Sequence, residues 1–195
     1  RFSSGTTDPR WLVERALEAA ERSGKPLLYG PRETVDWPLA DHLAQLRPGD
    51  VVTYCYMTTK NVLENRTRVH PAAREARARG VLFDVGHGTA AYDDELARAA
   101  IADGFPPDTI SSDMYAAHLG RAPRHDLPRV ISQLIAAGLP ERDAFAAATV
   151  RPAALLGLAG EVGTLAPGAC ADLAVLQQSD GVWQAILTVR AGHVW

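Results

Sequence analysis

Val81-Leu82-Phe83-Asp84-Val85-Gly86-His87-Gly88 is the stretch on which the reading of this chain turns. Val81 to Val85 is a short apolar run with one carboxylate in it, and it reads as a buried strand. Gly86-His87-Gly88 closes it. Pro71 to Arg79, stopped by Gly80, reads as the helix before it, and Asp93 to Ala102, ended by Asp103-Gly104, as the helix after it. The same alternation extends both ways. Asp8-Pro9 is an N-cap with proline at the first helical position. Trp11, Leu12, Ala16, Ala19 and Ala20 then mark one face of a helix that stops near Gly24. Lys25 to Gly30 reads as a strand, Trp37 to Leu46 as a helix, and Val51 to Tyr56 as a β-branched and aromatic strand. A polar loop is expected from Thr58 to His70. Thr109 to Ser112 is a fourth short strand that runs into Asp113.

Four apolar strands joined by helices imply an α/β fold, a parallel sheet covered on both faces with right-handed connections. Four such units make half of an eight-stranded barrel or a small open doubly wound sheet, and periodicity does not choose between them. After Asp113 the pattern changes. Leu127 to Ala137, Glu141 to Thr149 and Pro152 to Leu158 read as helices. Turns rich in glycine and proline then lead to strands around Leu173 to Leu176 and Trp183 to Arg190, with Ala191-Gly192 turning the chain back through His193-Val194. This tail is expected to be a small antiparallel sheet.

Composition narrows the function. The 195 residues carry a net charge of −3, without a basic stripe or an acidic tail, which argues against nucleic acid as a partner. No apolar run approaches the ~20 residues that cross a bilayer, so no membrane partner is expected. Cys55 and Cys170 do not make a disulfide framework, and they read as two buried thiols in a reducing cytoplasm. The start, RFSSGTTDPR, has no initiator Met and no signal-peptide core, so it reads as the middle of a longer or processed chain.

In parallel α/β folds chemistry gathers at the C-terminal ends of the strands. Those ends carry Tyr29 and Gly30, Tyr54 and Cys55, Asp84 and His87, and Asp113. A carboxylate just past a buried strand needs a metal or a cation beside it, or else caps the following turn, so Asp113 has both readings. His87 between two glycines could meet a ligand or be a satisfied histidine in a tight turn. Asp84, inside the strand, either orients a neighbour or is a buried carboxylate paired to backbone or an arginine. His42, His70, His118, His125 and His193 read as solvated or structural.

The stretches Arg151 to Leu158 and Gly163 to Leu173 resemble the C-terminal signature of the amidohydrolase superfamily, and Thr188 to Val194 looks like its closing hairpin. Phe83 to Gly88 with Pro107 to Asp113 is similar to the dihydroorotase-like deacetylase branch. The resemblance implies the second half of a TIM-like (β/α) barrel over residues 1–158 and a β-sandwich portion over 159–195. It implies a hydrolase acting on C–N bonds other than peptide bonds, with a small N-acyl or cyclic amide as substrate and a divalent metal, zinc above all, as cofactor. By this likeness Asp113 is the metal-binding and proton-accepting aspartate, and His87 lies near the substrate. It also implies that a His-x-His pair and a carboxylated Lys lie before Arg1, and that Gly30 (or Tyr29) and Tyr54 stand where the family has histidine. A non-catalytic binding protein on the same scaffold is the alternative. A half-barrel should expose open edges and pair with a missing N-terminal half or a second copy.

Overall fold

The computed structural model describes residues 8–31, 37–59, 62–88, 91–122 and 124–195. The expectation attached to Arg1 lies outside them. Helix α1, Pro9–Ser23, begins where the Asp8 side chain accepts the Arg10 amide at 2.9 Å and ends at Gly24 in the left-handed region at φ 63°. Its inward stripe is Val13, Ala16, Leu17 and Ala20, spaced by three and four, while Trp11 is exposed. The face expected from Trp11 and Ala19 is therefore rotated, toward Val13, which joins the core, and Leu17, which packs against it.

Strand β1 (Leu28–Tyr29), helix α2 (Leu39–Ala44) and strand β2 (Val51–Val52) follow. The polar loop expected after β2 is not without strands. It folds back as a two-stranded hairpin, β3 (Leu63–Glu64) against β4 (Arg68–Val69), turned through Asn65 and Arg66 at positive φ. Helix α3 (Pro71–Ala78), strand β5 (Leu82–Phe83) and helix α4 (Asp94–Ala102) complete the alternating part. β1, β2 and β5 are adjacent in that order and all parallel. The fourth expected strand contributes one parallel bridge, Asp84 with Thr109. Backbone bonds continue beside it, from Val85 N–H to Thr109 O (3.2 Å), His87 N–H to Ser111 O (3.0 Å) and Gly88 N–H to Ser112 O (3.1 Å). The segment thus runs alongside β5 out to Asp113 without regular strand pairing.

The core lies between this sheet and its helices. Val52, Tyr56, Val81, Phe83, Leu96, Phe105 and Leu134 are all but sealed from solvent, and each buried aliphatic or aromatic side chain contributes about 1.5–3 kcal/mol. Phe83 and Phe105 meet edge to face with ring centroids 4.9 Å apart, and the Tyr56 hydroxyl donates to Phe105 O at 2.8 Å. Inside α2, His42 is fully buried. It stacks on Trp37 at 3.7 Å, Nε2 pairs with Trp37 O at 2.9 Å, and Nδ1 meets the Tyr29 hydroxyl. Both ring nitrogens are used, so this histidine is structural.

Past a single 3₁₀ turn at Ala116–His118, helices α5 (Leu127–Ala136), α6 (Glu141–Ala148) and α7 (Val150–Leu155) lead to the antiparallel tail β6 (Leu173–Ser179), β7 (Val182–Arg190) and β8 (His193–Val194). Asp180 (φ 51°) and Gly181 (φ 77°) make the β6–β7 turn with both residues at positive φ, as a tight two-residue hairpin requires. The tail is a single sheet docked on α5. The Trp183 amide donates to Ser132 Oγ at 2.8 Å, and that hydroxyl donates to Pro128 O at 2.8 Å.

Candidate functional site

The C-terminal ends of the parallel segments meet at one rim. Asp84, 4 % exposed, is its foundation. It accepts Thr53 Oγ1 at 2.8 Å, Thr109 Oγ1 at 2.9 Å and Ser111 Oγ at 2.6 Å. Three hydroxyls from the segments on either side of β5 thus satisfy a buried carboxylate, where backbone or an arginine was the expected partner. The arrangement ties those segments together just below the rim.

Above it, Tyr54 and Asp113 both take up left-handed backbone, at φ 67° and 49°. Neither is a glycine, so the surrounding structure holds them there at a cost of about 1–3 kcal/mol each. The Tyr54 hydroxyl donates to Asp113 Oδ2 at 3.4 Å. Glycines make the room. A Cβ on Gly30 would come within 3.1 Å of the Tyr54 ring, one on Gly86 within 2.2 Å of Thr53 Oγ1 and 2.7 Å of the same ring, and one on Gly88 within 2.9 Å of Asp113 Oδ2. The space that small residues were expected to open for a ligand is thus filled, at Gly86 and Gly88, by side chains of the chain itself. Asp113 is exposed, but it stands on the same rim as the Gly86-His87-Gly88 bend, tied to it through Gly88 N–H and Ser112 O. Cys55 lies in the core at 1 % exposure, where burial pushes its thiol well up, and takes no part. Cys170, expected to be buried as well, is exposed, because it lies in the turn-rich stretch before the tail sheet.

His87 is 9 % exposed and stacked on Tyr92 at 4.5 Å. Burial first, and then the neighbouring His125, hold its imidazole below the ordinary value, so it is neutral at neutral pH. Gln133 and the Gly88 backbone sit close enough to favour its proton, yet neither nitrogen has a partner in hydrogen-bond geometry among the described residues. Two histidines that read as solvated or structural in the sequence join it. His125 lies 5.0 Å from His87 and 4.2 Å from His118, ring centre to ring centre. Their signal was position alone: both fall in the loop that leaves Asp113, and only its folding back brings them to the rim. Among the described residues no group of three or more His, Cys, Asp or Glu side chains is disposed to hold a metal ion.

The model of the Amidohydrolase family matches residues 90–191, just over half of the chain. The chain belongs to the amidohydrolase family. Within that family it is 32% identical over 139 residues to a deacetylase of Enterococcus faecalis, a match covering 70% of this chain and 37% of that protein. It is 34% identical over 142 residues to a deacetylase of Agrobacterium fabrum, covering 72% of this chain and 34% of that one. The amidohydrolase chain therefore spans little more than a third of the curated relatives it matches. Among solved structures, an adenine deaminase superposes with a TM-score of 0.81 at 25% identity, over 94% of this chain and 54% of that one. A dihydroorotase superposes at 0.72 and 22% identity, over 94% and 52%, a likeness of fold.

Proposed function

We propose that the protein to which this chain belongs hydrolyses an amide or related C–N bond of a small N-acyl or cyclic amide, with Asp113 moving the proton and His87 facing the substrate. The observation that carries the reading is the standing of Asp113 beside the Gly86-His87-Gly88 bend, at the C-terminal ends of parallel segments. In the reaction a water oxygen adds to the carbonyl carbon and its proton passes to the Asp113 carboxylate. Collapse then breaks the C–N bond as Asp113 returns the proton to the leaving nitrogen. Neutral His87 is suited to accept or donate a hydrogen bond to the substrate or to the developing oxyanion. Thr53, Thr109 and Ser111, through Asp84, hold the segments that carry both groups.

A divalent metal is the family's usual means of activating water. A catalytic zinc needs about three protein ligands, and the described residues by themselves do not fit a complete centre, so no step here passes through one. The second reading is a binding protein on the same scaffold. It is favoured by one observation, the Tyr54 hydroxyl directed onto the Asp113 carboxylate at 3.4 Å.

The experiment uses the full-length protein, assayed on a panel of N-acyl and cyclic amides with metal content measured in parallel. Asp113→Asn is expected to lower kcat by about 10²–10⁴-fold, the range for loss of a positioned proton carrier. Undiminished turnover in that variant would refute the role of Asp113. Wild-type protein that turns over none of the panel and takes up no zinc would favour the binding protein.

A further inference from the structure

The loop from Asp113 to α5 walls a shallow cavity of about 550 Å³ whose lining includes Met114, His118, Leu119, Arg121, Arg124 and Asp126. We propose that this cavity binds a small oxyanion, a carboxylate or phosphate carried by the substrate. That the anion belongs to the substrate rests on the amidohydrolase reading; the site itself rests on the chemistry of its lining.

His118 is the deciding residue. It is 8 % exposed, and its Nδ1 accepts the Tyr115 amide at 3.3 Å. A neutral imidazole whose Nδ1 accepts must carry its proton on Nε2. That Nε2 is buried and has no partner among the described residues. A buried N–H donor without an acceptor is unfavourable, and an anion oxygen arriving from the cavity removes the deficit. His125 cannot serve in its place, because its Nε2 is engaged with Ser112 O at 2.8 Å.

The surrounding charge fits the same ligand. Arg121 and Arg124 line the cavity, are exposed, and form no ion pair among the described residues. Their planar guanidinium groups match carboxylate or phosphate oxygens two at a time. Asp126 also lines the cavity, but its Oδ1 is occupied by the Arg129 amide, 3.1 Å away, as the cap of α5. Two positive lining charges against one negative leave the wall cationic. Met114 and Leu119 give it apolar surface for the carbon skeleton beside the anion. Asp113 is near enough for its charge to act on His118. Met114, the residue after Asp113, lines the cavity, so an anion held here lies on the side of the rim that carries the carboxylate assigned to proton transfer, as a distal acidic group of an amide substrate would.

The test titrates the full-length protein with inorganic phosphate and, separately, with acetate. The readouts are calorimetry and the nitrogen-15 correlation of the His118 imidazole. Saturable binding that shifts the Nε2–H resonance is expected from at least one anion, and the stronger of the two names the substrate's acidic group. The double variant Arg121→Gln, Arg124→Gln, with folding checked by circular dichroism, is expected to bind that anion at least about ten-fold more weakly. No saturable response to either anion, or equal binding by the double variant, would overturn the site. Binding is read without turnover, so the two proposals fail separately. A protein that binds the anion and hydrolyses no amide leaves the site standing without the activity. One that hydrolyses amides and ignores both anions leaves the activity without the site.

Discussion

Two buried aspartates differ in what holds them, and they should fail differently. Asp84 is the acceptor for Thr53, Thr109 and Ser111. Asp84→Ala strands three hydroxyls below the rim and is expected to cost about 3 kcal/mol or more, read by denaturant unfolding. Asp50, 1 % exposed at its side chain, accepts the Leu27 and Arg47 amides at 2.8 Å each and the Arg47 guanidinium at 2.9 Å. Burial alone would raise its carboxyl, but the Arg47 side chain and those two amides outweigh it and hold it below the ordinary value. A carboxylate depressed in the folded state stabilises fully above its unfolded value, and that contribution fades as pH falls through the folded one. Asp50→Asn is therefore expected to melt below wild type at pH 7, with the gap closing in acid, below about pH 4. A constant gap across that range would contradict the assignment.

At the scale of elements, the seam between α5 and the tail sheet is the most exposed to a single change. Ser132 receives the Trp183 amide and passes its own proton to Pro128 O, and Trp183 meets Phe145 edge to face at 5.6 Å. Ser132→Ala removes the acceptor from a half-buried amide and is expected to cost about 1–3 kcal/mol. The loss should appear locally, as faster hydrogen exchange at Trp183 than at Phe83 in the parallel sheet. Equal acceleration at both would mean that tail and sheet unfold together. The sequence made the helices legible through caps and glycine stops, because those signals are local: Asp8 and Gly24 around α1, and Asp93 before α4. The β3–β4 hairpin escaped it, since two-residue strands leave no periodicity to read.

For the whole molecule, β1 is an outer strand of the three-stranded parallel sheet, and its Leu28 is 65 % exposed. On the tail, Ile186, Val194 and Trp195 are 60, 68 and 80 % exposed. Exposed apolar surface of this kind promotes association. Residues 1–195 expressed alone are expected to self-associate, read as a concentration-dependent mass by light scattering. A monomer at all concentrations that unfolds in one cooperative step would count against this.

The amino-acid order by itself determined the α/β alternation, the parallel character of the first sheet, the antiparallel tail and the candidacy of Asp113 and His87. Each depends on neighbours in sequence: caps, apolar runs and glycine turns act over a few residues. Only the tertiary structure decided that Asp84 is satisfied by hydroxyls from two other segments, that Tyr54 leans its hydroxyl onto Asp113, and that His118 and His125 gather beside His87. Those contacts join residues 7 to 59 positions apart, and side-chain chemistry at such separations is set by how the chain packs, which no local pattern encodes.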